Sequence, residues 1–276
     1  YYTDIQLFLS NKNFDAIYIA SPHTSHFEQA IACLDHQIPV LCEKPLAINA
    51  VQVAKLKSAS EKNNTFLLEG MWIRFLPSIK KVLEILGSKE IGLVNSVKAS
   101  MSFKAPEDED NRYFDPALGG GSLLDLGIYP VFLAHLVLGK PASVKAVGKL
   151  SDQGIDESCA ILLQYTSGSH AILDSSIITQ SELSAEIAGD RGVIKIQSPW
   201  NEKPSSIKVT LYDGGVKEYP CEWEGRGFQY EVEEVIAALK NKKIYSDLYR
   251  HEFSLEIMDT LDEVRSQIGV KYGSVE

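Results

Sequence analysis

An α/β chain in two parts, a partial parallel sheet followed by an α+β domain with a large, mostly antiparallel open sheet, is predicted by three observations. Over residues 1–70 short apolar strands alternate with amphipathic helices. From Met71 onward that alternation stops, and short strands follow one another between Gly, Asp, Ser and Pro turn signals. Two helical stretches then finish the chain. Strand–helix alternation builds parallel sheets through right-handed crossovers, whereas consecutive short strands joined by turns build antiparallel ones.

Taken in order, residues 3–11 read as a helix and 15–20 as a strand. A helix then begins near Thr24, carrying Phe27, Ala30, Ile31 and Leu34. Val40-Leu41-Cys42 is the next strand, Asn49 suits the N-cap of a helix over 50–63, and 65–69 closes as a third strand. The second part opens with a helix at 78–86 and a strand at 93–103, followed by the acidic loop Glu107-Asp108-Glu109-Asp110, read as solvated. An unusually apolar helix over 121–138 comes next. Strands are expected at 143–150, 159–165, 170–178, 184–188, 193–197, 207–212 and 216–219, then helices at 228–240 and 248–268. The domain boundary falls at 70/71, with half of a doubly wound nucleotide-binding fold before it.

Composition narrows the function. The 276 residues carry a formal net charge of −10, and no cluster of Lys and Arg is dense enough to mark a nucleic-acid surface. Small molecules or protein are the expected partners. Cys33, Cys42, Cys159 and Cys221 are scattered without a C-x-x-C pair, which points to a reducing, cytoplasmic setting. No signal peptide and no unbroken apolar stretch of about 18 residues is evident, so no membrane association is expected. The sequence opens at Tyr1 without an initiator Met and reads as a fragment or a processed chain.

Two constellations carry chemistry. Glu43-Lys44-Pro45 follows the strand Val40-Leu41-Cys42, at the carboxyl end where open α/β sheets bind ligands, and Pro45 biases Lys44 toward extended backbone. The lysine therefore projects into a cleft. The second constellation runs from Gly119-Gly120-Gly121 to Tyr129-Pro130. Between Gly121 and Gly139 the only strongly ionisable groups are Asp125 and His135, so Asp125 rides on a helix that is apolar nearly all round. A buried carboxylate costs several kcal/mol unless it is paired, and the helix dipole returns only roughly 0.3 to 1 kcal/mol. A cation is required nearby, and Lys44 is the candidate.

Asp125 and Tyr129 are four apart and share a helix face, presenting a carboxylate beside a phenol. Pro130 cannot donate to the carbonyl of Leu126, so the helix should be kinked or locally opened there. Alternatively, Tyr129 is a core aromatic and the three glycines a close-packing device, or the glycines hold a phosphate at a helix N-terminus. His23 and His26 are spaced for a metal only if both face one site, and no metal is expected.

Ile19-Ala20-Ser21-Pro22 with His26, Glu43-Lys44-Pro45, Trp72-Ile73-Arg74-Phe75, Arg112-Tyr113-Phe114 and the glycine-to-tyrosine helix, in this order, resemble the Gfo/Idh/MocA oxidoreductases. Within them the chain is most similar to the dihydrodiol and NADP-dependent xylose dehydrogenase branch. The resemblance implies a Rossmann domain binding NAD or NADP, the branch favouring NADP, then a domain whose open sheet forms a homodimer. It implies hydride transfer between nicotinamide and a sugar or diol. Ser21, Pro22, His26, Glu43, Lys44 and Pro45 would border the cofactor. Trp72, Arg74, Phe103, Arg112, Asp125 and Tyr129 would face substrate, with Lys44, Asp125 and Tyr129 catalytic.

A neighbouring ammonium favours a phenolate, so a useful downward shift of Tyr129 is expected, opposed by Asp125. The Gly-rich loop that should follow the first strand of such a fold is missing, and Gly225-Arg226-Gly227-Phe228 reads as a turn entering a helix. NAD versus NADP is therefore unreadable here, and a molecule beginning at Tyr1 is expected to bind cofactor weakly or not at all. The alternative function is a dimeric sugar-binding or regulatory protein on the same fold without turnover.

Overall fold

The computed structural model describes residues 2–11, 14–106 and 111–272. The acidic loop Glu107–Asp110 lies outside them. The first part begins with helix α1 (Ile5–Ser10), capped by the Asp4 carboxylate, and strand β1 (Ile17–Ile19). A short 3-10 turn, His23–Ser25, leads into α2 (His26–Asp35). Strand β2 (Val40–Glu43), helix α3 (Ala50–Asn63) and strand β3 (Leu67–Gly70) follow. Asn49 caps α3 as its amide suggests, accepting from the Gln52 backbone N–H at 2.8 Å. The three strands pair in parallel in the order β1-β2-β3, so the carboxyl end of the central strand delivers Glu43 and Lys44.

A 3-10 turn at Trp72–Phe75 and helix α4 (Pro77–Gly87) lead into β4 (Val94–Ser102). The expected apolar helix is present in two registers: a π-helical turn over Leu123–Gly127, then α5 (Ile128–Leu138). The local opening expected from Pro130 is thus a widened turn immediately before it. The stretch Pro116–Leu138 would pass for a membrane span by length and mean hydropathy, although Asp125 and His135 interrupt it. Its apolar residues are instead mostly buried inside the protein, packed under β4 and β7 and against α7.

Strands β5 (Ser143–Leu150), β6 (Asp156–Gln164), β7 (His170–Ser176), β8 (Ala185–Gly189), β9 (Gly192–Ile196), β10 (Ser206–Leu211) and β11 (Val216–Pro220) complete an eight-stranded sheet with β4. Its order is β11-β10-β9-β8-β4-β7-β6-β5, and β4 with β7 is its parallel pair. Burial alternates along β6: Cys159, Ile161 and Leu163 face the core while Ala160, Leu162 and Gln164 face out. Leu162 lies opposite Ile172 across the ladder, and Val147 opposite Ala160. The outer face is therefore an open one with apolar content.

Helices α6 (Gln229–Lys240) and α7 (His251–Ile268) close the chain. The end of the chain returns to the first sheet. Leu67 N–H donates to the Ile244 carbonyl at 3.1 Å, His251 Nε2 lies 2.8 Å from the Leu67 carbonyl, and Ala50 N–H donates to Asp262 at 2.8 Å.

Candidate active site

The Lys44–Pro45 peptide is cis, and the turn that follows β2 is pinned from β3. The Glu69 carboxylate, wholly enclosed, accepts from Leu46 N–H at 2.9 Å and from the Tyr249 hydroxyl at 2.9 Å. His26 fastens the same turn from the other side, with Nδ1 2.7 Å from the Pro45 carbonyl and Nε2 2.8 Å from the Ser21 carbonyl. Burial, aided by Lys44, lowers the His26 pKa even though both carbonyls favour its charged form. A neutral imidazole can donate to one carbonyl at a time.

The ammonium of Lys44 reaches the π-helical turn. Its Nζ donates to the Asp125 carbonyl at 2.6 Å and to Asp125 Oδ1 at 3.1 Å, and lies 4.7 Å from the centroid of the Tyr129 ring. Arg112 adds contacts of 3.3 Å to the same carboxylate, and His23 Nε2 lies 3.6 Å from it. The cation demanded by a buried Asp125 is there. Burial alone would raise the Asp125 pKa, but Lys44, His23 and Arg112 hold it far below the usual carboxylate range. Burial alone would lower Lys44, and Asp125, with Tyr129 and Glu43 adding to it, more than reverses that, so the amine stays protonated.

Tyr129 accepts a hydrogen bond from Trp72 Nε1 at 3.0 Å. Burial raises its pKa above the ordinary phenol value, with Lys44 and that hydrogen bond offsetting only part of the effect. The expected downward shift is therefore corrected: desolvation of the phenolate outweighs the attraction of the lysine.

The glycines are explained by close approaches, that of another carboxylate to Gly121 and those of backbone carbonyls to Gly120. Gly121 has φ +119, and a Cβ there would stand 2.3 Å from Asp156 Oδ1. A Cβ on Gly120 would crowd the Arg112, Tyr113 and Asp115 carbonyls at 2.7–2.8 Å. Asp156 Oδ2 accepts from Leu123 N–H at 2.6 Å and Ser122 Oγ at 2.8 Å, so this buried side chain occupies the start of the helix where a phosphate had been considered.

Two cavities meet at the Lys44–Asp125 pair. One, of about 300 Å³, opens at the carboxyl ends of β1 and β2 and includes Ser21, Pro22, His26 and Glu43. The other, of about 370 Å³, is walled by Trp72, Phe103, Tyr129 and Phe228. Glu43, Lys44, Arg112 and Asp125 border both. The residues expected around cofactor and substrate line one or both of these cavities, with two exceptions. Pro45 lines neither cavity and contributes its carbonyl to His26. Arg74 also lines neither: its Nε donates to the Leu248 carbonyl at 2.9 Å, which ties the turn after β3 to the segment before α7.

Sequence reasoning missed several residues. His23 was passed over as a possible metal ligand, yet it stands against Asp125 and, through Nδ1, 3.3 Å from the Gly119 carbonyl. Phe228 stacks on Trp72 with ring centroids 4.7 Å apart, and the expected turn at Gly225–Phe228 is what brings it there. Glu231 in α6 is buried near Glu43. Its Oε2 has no hydrogen-bond partner among the described residues, and burial together with Glu43 pushes its pKa up to about 8. The Tyr18 hydroxyl donates to Glu43 on the other side.

The two halves of the chain match two family models in order. Residues 1–71 match the oxidoreductase family's NAD-binding Rossmann fold, and residues 79–195 match the GFO/IDH/MocA C-terminal domain. Trans-1,2-dihydrobenzene-1,2-diol dehydrogenase of Xenopus laevis is 36% identical over 266 residues, covering 94% of this chain and 79% of that protein. The chain belongs to the Gfo/Idh/MocA oxidoreductase family. Another member, the NADP-dependent scyllo-inositol 2-dehydrogenase IolU of Bacillus subtilis, is 33% identical over 277 residues, covering 98% of this chain and 83% of that protein. Among solved structures of the same fold, aldose-aldose oxidoreductase from Caulobacter crescentus, complexed with glycerol, superposes with a TM-score of 0.86 at 20% identity. The match covers 96% of this chain and 80% of that one. KijD10, a 3-ketoreductase from Actinomadura kijaniata in complex with NADP and TDP-benzene, superposes at 0.84 with 24% identity over 95% and 81% of the two chains. As a Gfo/Idh/MocA member with an NAD-binding Rossmann part, the protein is an NAD(P)-dependent dehydrogenase.

Proposed function

We propose that this dehydrogenase moves hydride between nicotinamide and a hydroxyl or carbonyl of a sugar or diol, with Lys44, Asp125 and Tyr129 as its catalytic set. The observation that carries the reading is the position of the Lys44 ammonium, held by Asp125 and facing the Tyr129 ring where the two cavities join. The β1–β2 cavity fits a nicotinamide ribose: it lies at the strand ends, its Glu43 carboxylate can accept from sugar hydroxyls, and Ser21 supplies a hydroxyl. The bound cofactor would supply the hydride acceptor or donor.

The chain's own groups handle the proton and the charge. Tyr129, kept protonated by burial, is suited to donate to a carbonyl oxygen as that oxygen gains negative charge. Lys44 lies within reach of the same oxygen and stabilises that developing charge. Asp125 keeps the lysine charged and fixed in place. Arg112 closes the outer side of the carboxylate, and Trp72 fixes the phenol's orientation through its N–H.

Residues 1–70 would serve the cofactor, and 71–276 the substrate and a homodimer formed through the outer face of the large sheet. Val147, Leu162 and Ile172, exposed at 72%, 47% and 48%, support such a contact. The free, largely buried cysteines are consistent with a cytoplasmic setting. The names of the relatives support the substrate class, since they include a dihydrobenzenediol and an inositol dehydrogenase.

The decisive experiment follows NAD(P)H absorbance with a panel of diols and aldoses on the full-length polypeptide. Wild type is expected to turn over at least one of them, and Lys44→Met to abolish turnover while circular dichroism stays unchanged. Full activity in Lys44→Met would remove the lysine from the mechanism. Binding of a sugar without turnover by wild type would favour the non-catalytic alternative.

A further inference from the structure

Behind the wall shared by the two cavities lies a carboxyl group that neither the catalytic set nor the core accounts for. Glu231 of α6 is 1% exposed, and its Oε2 has no hydrogen-bond partner among the described residues. Helix α6 lays it over the carboxyl end of β2. A Cβ added to Gly70 would stand 3.3 Å from Glu43 Cα and 3.5 Å from Glu231 Oε2, so the side chain that Gly70 lacks is all that separates this oxygen from the Glu43 backbone. The Glu43 carboxylate borders both cavities and accepts from the Tyr18 hydroxyl of β1.

The other charges around this spot are committed elsewhere. Lys44 is bound to Asp125, and Arg74, in the 3-10 turn packed on α6, donates to the Leu248 carbonyl. The Lys80 ammonium of α4 lies 5.8 Å from the centroid of the Tyr230 ring, and the Glu69 carboxylate of β3 is held by Leu46 and Tyr249. Glu43 is left as the charge that bears on Glu231, and it opposes a second negative charge there. Tyr18 stays a neutral phenol, raised by burial and by both carboxylates. Burial, with Glu43 beside it, pushes the Glu231 pKa up to about 8, so the acid is protonated through neutrality and ionises in mild alkali. Lys44, Tyr129 and Cys42 keep their protons beyond that point, and His23 and His26 lose theirs below it.

Hydride can pass only where a nicotinamide ring meets the reacting carbon, which is the junction of the two cavities, beside Glu43. The oxidised ring carries a positive charge and the reduced ring none, while the phosphates of the two forms are the same. A charge that comes and goes behind Glu43 is therefore felt by one form and not by the other. We propose that Glu231 is a specificity-determining residue for the oxidation state of the cofactor: loss of its proton places a buried negative charge behind the nicotinamide and favours the oxidised form over the reduced one. This rests on the assignment of cofactor and substrate to the two cavities made above.

The test titrates the full-length polypeptide with NAD+, NADH, NADP+ and NADPH by calorimetry from about pH 6.5 to about pH 9.5, a range that brackets the ionisation of Glu231. In wild type the ratio of Kd for the oxidised form to Kd for the reduced form should fall by about 3- to 30-fold over that range. In Glu231→Gln, with Glu231→Met as the second variant if glutamine prevents folding, the ratio should stay constant. Proton and cofactor binding are linked, so at pH 8 wild type should also release more protons than the variant on taking the oxidised form, read from buffers of different ionisation heat. A ratio that is flat in wild type, or that falls equally in the variant, overturns the proposal, as does equal proton release. Wild type that binds none of the four dinucleotides ends the cofactor reading of the β1–β2 cavity and this proposal with it, whereas binding with a flat ratio ends this proposal alone.

Discussion

Tyr129 shows how burial and charge compete within one side chain. The lysine beside it favours the phenolate, the enclosing protein disfavours it more, and the net effect is upward. Carbonyl reduction should therefore proceed at a rate independent of pH through neutrality and fall only in alkaline solution, where the phenol finally ionises. A pH–rate profile with NAD(P)H and a carbonyl substrate checks this, and a decline beginning below pH 7 would assign the proton to another group. Tyr129→Phe should reduce kcat/KM by about 100- to 10,000-fold, with cofactor affinity held. At this scale the sequence was informative where a residue's oddness is independent of fold: a lone carboxylate on an apolar helix required a cation, and Lys44 supplies it. Arg74 misled because Trp72, two residues before it, lines the cavity while its own side chain turns to a carbonyl more than a hundred residues away. His23 was illegible, since only the fold brings it to Asp125.

Among the elements, the widened turn that carries Asp125 depends on Asp156. That carboxyl is fully buried, and although Leu123 and Ser122 donate to it, burial pushes its pKa up to about 6. An acid whose folded-state pKa is raised contributes stability that is complete below its unfolded value near 3.9 and disappears as pH rises through about 6. Wild type should accordingly lose on the order of 2 kcal/mol between pH 4 and 7 from this group. Asp156→Asn, which keeps an acceptor for Leu123, should lose that part of the dependence. Denaturant melts of both proteins across that range provide the measurement, and parallel curves would clear Asp156 of the role. Periodicity had located the helix and Pro130 had announced its irregularity, but the carboxylate beneath the glycines comes from a strand more than thirty residues on. No local signal connects them.

For the molecule as a whole, strand order was readable only in outline. The alternation of elements gave the parallel part, and turn signals gave the antiparallel part, yet the parallel pairing of β4 with β7 and the return of α7 to the first sheet depend on long-range packing. The outer face of the large sheet provides the test at this scale. Replacing Leu162 and Ile172 together by lysine should convert a dimer into a monomer in sedimentation experiments without lowering the melting temperature by more than a few degrees. A wild-type protein that sediments as a monomer would end the proposal.

The wall shared by the two cavities has one more consequence. Lys44 and Asp125 face both spaces, so an occupant on either side changes the electrostatic potential met by an occupant on the other. The two binding equilibria are then linked, and the factor by which one ligand tightens or weakens its neighbour must be returned in equal measure. Calorimetric titration of each ligand with and without the other closes that thermodynamic square. A coupling that vanishes in Lys44→Met would place the communication in this single ion pair.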